Sequence, residues 1–573
     1  MVDPSTQLKQ ASSRRIHLLP TPESVIMALT AVLAVGLILY PLTRLLVASL
    51  LSDVGFGKQA VLTLENYGAL LSDRTLHSAV IVTFAVSIAT MLIATPIGCL
   101  LAWAVARTNI PGARFLDAIN IIPFFISPYV GALCWTALAS PTIGTLNVLF
   151  RNLSGQPQAL VNIYSIPGMV WVMVLFYAPY VYLFVSESFR NMDPTPEEAA
   201  RMSGAGNWRV FRHITFPLAL PAIISGALLV LVTAAGAPDV PLALGKPANL
   251  DTLSTLMYVN REAYPPLFGL NSAIGMILLL VAVIGMYGQR WTLRSRSFVT
   301  ISGRGYSASQ VDLGRWRYVA LALNLLYVLI ALVIPLCALL MVALSTYWSG
   351  SFDPTLFTLA NFKSVLFDLE LTKIALKNSL ILAVSGATLG VLLCIVLSYI
   401  IHRSRVAGRA ALDFLVMLPI SVPAVVMAMA MLLVWVQTPL YGTLSLLLIA
   451  YITRGMPIAQ RNIGAAMVAI SPDLEESARL SGATWLRTMY HIVLPLLRPG
   501  VATGWLLLFI VYLRELGQSI LLSGAGTETM SVALYRMTLP VQQAAFAVVQ
   551  IVILLLAAAV FLRIASQGQI ITQ

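Results

Sequence analysis

Long apolar stretches alternate along this chain with short polar segments. Ser78 to Ala106 runs 29 residues without Asp, Glu, Lys or Arg. At about 1.5 Å per residue that is roughly 44 Å of helix, against a hydrocarbon core of about 30 Å. Val541 to Leu562 is another uncharged run of spanning length. A buried helix of a water-soluble domain explains one such run, but not a series of them. The pattern predicts twelve spans. The first six lie near 24–50, 78–106, 116–139, 166–188, 216–236 and 268–288, and the second six near 318–346, 376–401, 412–436, 440–464, 494–517 and 541–562. Arg454 interrupts the tenth.

The polar segments fall into two sets. One carries Arg107 and Arg114; Arg190, Arg201, Arg209 and Arg212; Arg290 to Arg317; Arg403, Arg405 and Arg409; and Arg479 and Arg487. The alternate set mixes signs, as in Asp53, Lys58, Glu65, Asp73 and Arg74. Arginine excess marks the cytoplasmic side, so both termini are expected inside. Residues 1–22 have no apolar core of the kind a cleavable leader needs, so the first span is expected to act as an uncleaved anchor.

The two groups of six resemble each other. Leu64-Glu65-Asn66-Tyr67 echoes Leu359-Ala360-Asn361-Phe362, and Gly144-Thr145-Leu146 echoes Gly442-Thr443-Leu444. The expected domains are an N-terminal tail (1–23), a first six-helix half (24–288), a polar Arg-rich linker (289–317), a second half (318–563) and a C-terminal tail (564–573). Residues 147–165 read as a polar outer loop that the second half lacks. Parallel repeats of this kind place a shared pathway between the halves.

One cytoplasmic segment repeats most closely. Pro194–Pro221 aligns without gaps on Pro472–Pro499, and 14 of 28 positions are identical. Shared residues include Glu198 and Glu476, Ala200 and Ala478, Gly204 and Gly482, Arg209 and Arg487, and Pro217 and Pro495. Ala199 and Ser477 occupy the small middle position. Asp193 or Ser471 is placed to cap a short helix with an acidic first turn. Gly204 or Gly482 ends that helix in a sharp turn. A second short helix follows, and Pro217 or Pro495 starts the next span. Two matched elements at equivalent places suit two copies of a partner, or one dimer.

The net charge of +12 changes this picture little, because the basic residues sit in short loops and form no nucleic-acid surface. Cys99, Cys134, Cys337 and Cys394 lie singly in apolar stretches and read as small hydrophobes. No GxxxxGK[ST] phosphate loop is present, nor HExxH, nor a nucleophile with its base. The chain is expected to carry out no chemistry, to bind no metal or other cofactor, and to leave ATP and Mg to a separate subunit.

The pattern Glu-(Ala/Ser)-Ala, three residues, Gly, nine residues, Ile-x-(Phe/Leu)-Pro resembles the EAA motif of ABC importer permeases. The resemblance covers both halves. It implies an all-α polytopic fold of two six-helix repeats in a bacterial inner membrane. Implied partners are two cytoplasmic ABC ATPases, a periplasmic or extracellular solute-binding protein and membrane lipid. Phe216-Pro217 stands where Leu-Pro is usual in the family. A fused pair of this length is similar to the ferric-iron permeases, with relatives for thiamine, phosphonates, polyamines and other small solutes.

The segments after the fifth span of each half carry that likeness further. Asp239 to Gly245 leads into Leu253-Ser254-Thr255, and Arg514-Glu515-Leu516 leads into Thr529-Met530-Ser531. Asp239, Arg514 and Glu515 are candidate path or gate residues, with a structural ion pair as the alternative reading. Glu187 reads as reaching for the interface, and Tyr177 and Tyr180 as packing. An ion-coupled secondary transporter, the competing class, needs mid-span carboxylates or histidines that this sequence nearly lacks.

Overall fold

The computed structural model describes residues 22–52, 61–294, 311–404 and 408–571. Arg14, Arg15, Lys58, Arg296, Arg304 and Arg405, with much of the predicted linker and the N-terminal tail, lie outside the described residues.

The first half contains α1 (Pro22–Ser49), α2 (Arg74–Arg107), α3 (Ala113–Phe125), α4 (Pro128–Ala139), α5 (Thr145–Ser154), α6 (Ile166–Arg190), α7 (Thr195–Met202), α8 (Phe216–Gly236), α9 (Leu253–Glu262) and α10 (Phe268–Arg294). The second contains α11 (Trp316–Val328), α12 (Ile334–Leu344), α13 (Glu370–His402), α14 (Arg409–Ile420), α15 (Ala424–Trp435), α16 (Leu444–Ala469), α17 (Asp473–Leu480), α18 (Leu494–Leu513), α19 (Met530–Arg536) and α20 (Pro540–Ile571).

Among the described residues nine helices are long and apolar enough to cross a membrane, and eleven spans result if each of two bent pairs counts as one. Both bends fall in the third predicted span of a half: α3 meets α4 at 94° and α14 meets α15 at 108°. A proline sits at each bend: Ser127 is held extended before Pro128, and Pro423, at φ −54° and ψ 145°, immediately precedes α15. Periodicity alone ran each broken pair together. The remaining predicted span is α16, unbroken through Arg454, Pro457 and Arg461, whose arginines keep it out of the apolar count.

The halves interlock. α1 packs on α10 of its own half and on α15 of the other, while α12 packs on α20 and on α4. Inside each half the second and fourth spans make the broadest contact, α2 on α6 and α13 on α16. The repeated Asn marks a clamp at the end of the first span. Asn66 Nδ2 donates to the carbonyls of Ser49 and Leu51, and Asn361 Nδ2 to those of Ala343 and Ser345, at 2.7–3.1 Å. The segments after the fifth spans are pinned alike. The Leu253 amide donates to Thr83 Oγ1 at 2.8 Å, and the Met530 amide to Ser379 Oγ at 2.7 Å.

One expectation is corrected. Residues 147–154 of the expected polar loop belong to helix α5, with Leu149 and Leu153 exposed. Its polar face turns inward: Asn147 is buried and holds the Ala139, Ser140 and Val161 carbonyls, and Arg151 holds those of Pro141 and Thr142.

Candidate functional site

The duplicated segment builds two matching elements on one face. α7 and α17 are eight residues each. Asp193 Oδ1 accepts from the Thr195 amide at 2.9 Å, and Ser471 Oγ from the Asp473 amide at 3.3 Å. The Thr195 hydrogen bonds hold the Asp193 carboxyl below its usual range. Gly204 and Gly482 adopt φ of 81° and 80°, which a side chain rarely permits. The Ala205 amide closes on the Ala200 carbonyl, and Ala483 on Ala478, each at 3.0 Å.

Beyond the turn, the structure departs from a separate second helix. In each half a π-turn, Phe211–Thr215 or Met489–Val493, joins the short helix directly to the fifth span. Pro217 and Pro495 lie just inside that span. A proline lacks an amide and crowds the carbonyl four residues back, and a wider turn relieves both.

Glu198, Ala199, Gly204 and Arg209 are exposed, as are Glu476, Ser477, Gly482 and Arg487, while Ala200 and Ala478 are half-covered. Met202 and its counterpart Leu480 are each 90% exposed. Trp208 and Leu486 are also exposed. Two apolar knobs ringed by charge therefore face outward.

What holds these loops was not foreseen. Arg107 and Arg403, read as loop charges, end α2 and α13, and Arg107 is fully buried. Arg107 pairs with Glu197, and Arg403 Nε lies 3.2 Å from Glu475 Oε1. Thr215 Oγ1 donates to Glu197 at 2.6 Å, and Tyr399 Oη to Glu475 at 3.1 Å. The signal was present: Glu197 and Glu475 are identical across the repeat and directly precede Glu198 and Glu476.

The second site is a cavity of about 660 Å³ between the halves. Asp239, Arg514 and Glu515 all line it, so the structure brings the three candidates together. Tyr177, Tyr180 and Glu187 line it too; Tyr177 and Tyr180 pack edge-on against each other, and Glu187 is exposed. Arg454 and Arg461 of α16 complete its polar wall.

The arginines also serve the helix breaks. Breaking a span strands carbonyls that lipid cannot satisfy. Arg514 donates to the carbonyls of Phe124 and Ile126, at the α3–α4 bend, and to Tyr180 Oη at 3.2 Å. Its guanidinium lies 4.8 Å from the Phe124 ring centre. Arg454 does the same at the other bend, donating to the Val422 carbonyl at 2.7 Å. Glu515 accepts from the Gln518 amide at 3.0 Å.

At one end of the cavity the lining segments pack backbone-close. A Cβ on Gly236 would lie 2.2 Å from Pro423 Cβ, and one on Gly517 would lie 2.9 Å from Ala424 Cβ. Glu187 on α6 and Asn462 on α16 line the other end of the cavity, on the side of the molecule that carries α7 and α17.

Residues 94–298 and 386–567 match the family described as binding-protein-dependent transport system inner membrane component. A putative ferric transport system permease protein of Haemophilus influenzae is 27% identical over 74% of this chain and 67% of its own length. A ferric transport system permease protein of Actinobacillus pleuropneumoniae is 27% identical over 64% of this chain and 53% of its own. A Fe(3+)-transport system permease protein of Haemophilus influenzae is 23% identical over 86% of this chain and 89% of its own. The chain thus spans about half to two thirds of the first two relatives.

Proposed function

The chain belongs to the binding-protein-dependent transport system inner membrane component family, and from that membership we propose that it is a ferric-iron importer permease driven by two ATPases docked on α7 and α17. It is a multi-pass membrane permease of the ABC importer class. ATP and Mg belong to the partner subunits in this reading, and a solute-binding protein delivers cargo from outside. Iron is the cargo because three relatives carry ferric transport in their names.

One observation carries the coupling assignment. Two exposed, matched loops are each tied by an Arg–Glu pair to the inner end of a second span. A pull on either loop is therefore passed to α2 or α13, and through them to α6 or α16, which wall the cavity. By the distribution of arginines, the loop face is cytoplasmic and both termini lie inside. The cavity then faces inward, with its outer end shut at Gly236–Pro423 and Gly517–Ala424. ATP-driven closure of the partners would draw the loops together, part those contacts and open the path outward.

The test is Glu198→Arg with Glu476→Arg, read by ATPase co-purification and by uptake of radioactive iron in cells lacking the native permease. The expected result is a normally inserted permease that loses both. A double variant that retains its ATPase and its uptake rules out docking through these loops. Unchanged cellular iron uptake on deletion of the permease removes iron as cargo.

A further inference from the structure

The cavity differs in charge along its length. Asp239 and Glu515, with Arg514 beside them, belong to the segments around its closed end, where carboxylates outnumber arginines. Arg454 and Arg461 follow toward the mouth on one face of α16. Seven residues separate them, about 10 Å along the helix axis. Arg454 stands ten residues into α16, about 15 Å from its start and so near mid-membrane. Glu187 lies at the mouth and is engaged by Asn191 Nδ2 at 2.6 Å.

Arg454 is half-buried and Arg461 exposed, and an arginine as deep as Arg454 is costly without a counter-charge. Arg107, Arg190 and Arg403 each have a carboxylate partner. Neither Arg454 nor Arg461 forms an ion pair among the described residues. Arg454 gives one donor to the Val422 carbonyl, and Arg461 lies 5.9 Å from the Phe184 ring centre. Most of their donors are unspent.

The helix itself does not require these charges, although Arg454 also caps the Val422 carbonyl. α6 and α16 are equivalent in the repeat, with Pro179 matching Pro457. On α6 the positions of Arg454 and Arg461 hold Phe176 and Leu183. The first half completes the same helix with apolar side chains.

Resting on the permease reading above, we propose that Arg454 and Arg461 form an oxyanion-binding face of the transport cavity. Guanidinium donors pair with phosphate and carboxylate oxygens in a fork geometry. The solute then crosses either as a free oxyanion or as a hard metal cation that keeps an oxyanion ligand. In the second case the metal end lies toward the carboxylates of Asp239 and Glu515, and the anion lies along α16. A bare trivalent cation would face two uncompensated positive charges on its way in.

The experiment is equilibrium binding of radiolabelled pyrophosphate to the full chain in nanodiscs, as the free anion and as its ferric complex. The informative variant is Arg454→Phe with Arg461→Leu, because those side chains or near equivalents already sit at the matching places on α6. Arg454→Lys with Arg461→Lys keeps the charge and guards against a folding defect. Retention by the wild type, weakened at least about tenfold in the Phe/Leu variant and partly kept in the Lys variant, supports the site. Retention of the free anion identifies an oxyanion cargo, and retention only with iron identifies the metal complex. A wild type that holds neither form, or a Phe/Leu variant that binds equally, overturns the proposal. Loss of ATPase docking in the loop test, with pyrophosphate still bound, would leave this site standing without the coupling scheme.

Discussion

In the first half the loop glutamate is sealed. Glu197 and Arg107 are each 1% exposed, hydrogen-bonded to each other, and Thr215 fills a further lone pair. In the second half Glu475 and Arg403 are 8% and 11% exposed. Their nearest atoms approach to 3.2 Å without the alignment of a hydrogen bond. Tyr399 bonds to Glu475 and also accepts from Arg479 at 3.0 Å. Arg403 gives further donors to the Met467 and Ile470 carbonyls. The same glutamate is thus held by a buried, hydrogen-bonded arginine with Thr215 and, at 3.9 Å, Arg201 in one loop, and by Tyr399 and a less aligned arginine in the other. A sealed pair can only break at high cost. A shared one can rearrange, so the first loop should follow its span rigidly and the second should give.

Arg107→Ala is expected to have the largest effect, because it removes the closest counter-charge of the buried Glu197 and leaves only Thr215 and the more distant Arg201. The loss should be about 3–5 kcal/mol. Arg403→Ala should cost about 1–3 kcal/mol, since Tyr399 remains on Glu475. Thermal unfolding of the two variants in nanodiscs measures the difference. Equal losses, or a larger one at Arg403, would erase the distinction between a rigid and a compliant loop.

Exchanging a single side chain sharpens the comparison. Thr215 and Val493 occupy matching positions, and only the threonine can donate to the loop glutamate. Thr215→Val should lose about 1.5 kcal/mol, as expected for a hydrogen bond to a charged group. Val493→Thr should gain little, because Glu475 already has Tyr399. A double-mutant cycle with Tyr399→Phe reads this directly: a stabilising Val493→Thr would appear only in the Phe background.

Where the halves agree, substitutions should agree as well. Gly204→Ala and Gly482→Ala each force a side chain into left-handed backbone, at about 1–2 kcal/mol. No Cβ contact arises at either site, so backbone strain is the whole effect. Hydrogen exchange of α7 and α17 should rise together. A change confined to one helix would mean that the turns are not equivalent in solution.

How far the sequence revealed this follows from what repeats and what costs energy. The loops were legible because Glu, Gly and Pro recur at fixed spacing with distinct backbone demands. Asp239, Arg514 and Glu515 were legible because charge inside an apolar run is expensive. The anchors were not, since Arg107 and Arg403 sit where a basic residue is expected for topology alone, and burial is set by partners from a distant segment. The breaks at Ser127-Pro128 and Val422-Pro423 escaped because hydropathy registers composition and not direction. Arg454 was noticed only as an interruption. Its part in capping the Val422 carbonyl depends on that unseen bend.

The smallest expected difference between the loops is one of pH. Asp193 and Ser471 hold equivalent amides at the start of α7 and α17, but only Asp193 titrates. The Thr195 hydrogen bonds lower its carboxyl from the ordinary value. Its contribution is therefore complete above the unfolded carboxylate range, about pH 4, and fades as pH falls through the lower folded value. Ser471 carries no charge of its own, and its hydroxyl donates to Asp473 Oδ2 at 3.0 Å. On acidification the first turn of α7 should lose hydrogen-exchange protection relative to α17, after correction for intrinsic rates. Asp193→Ser should abolish the pH difference and make the two loops fray alike. If α7 and α17 already lose protection in parallel in the wild type, the caps are equivalent and the loops differ only at their buried anchors.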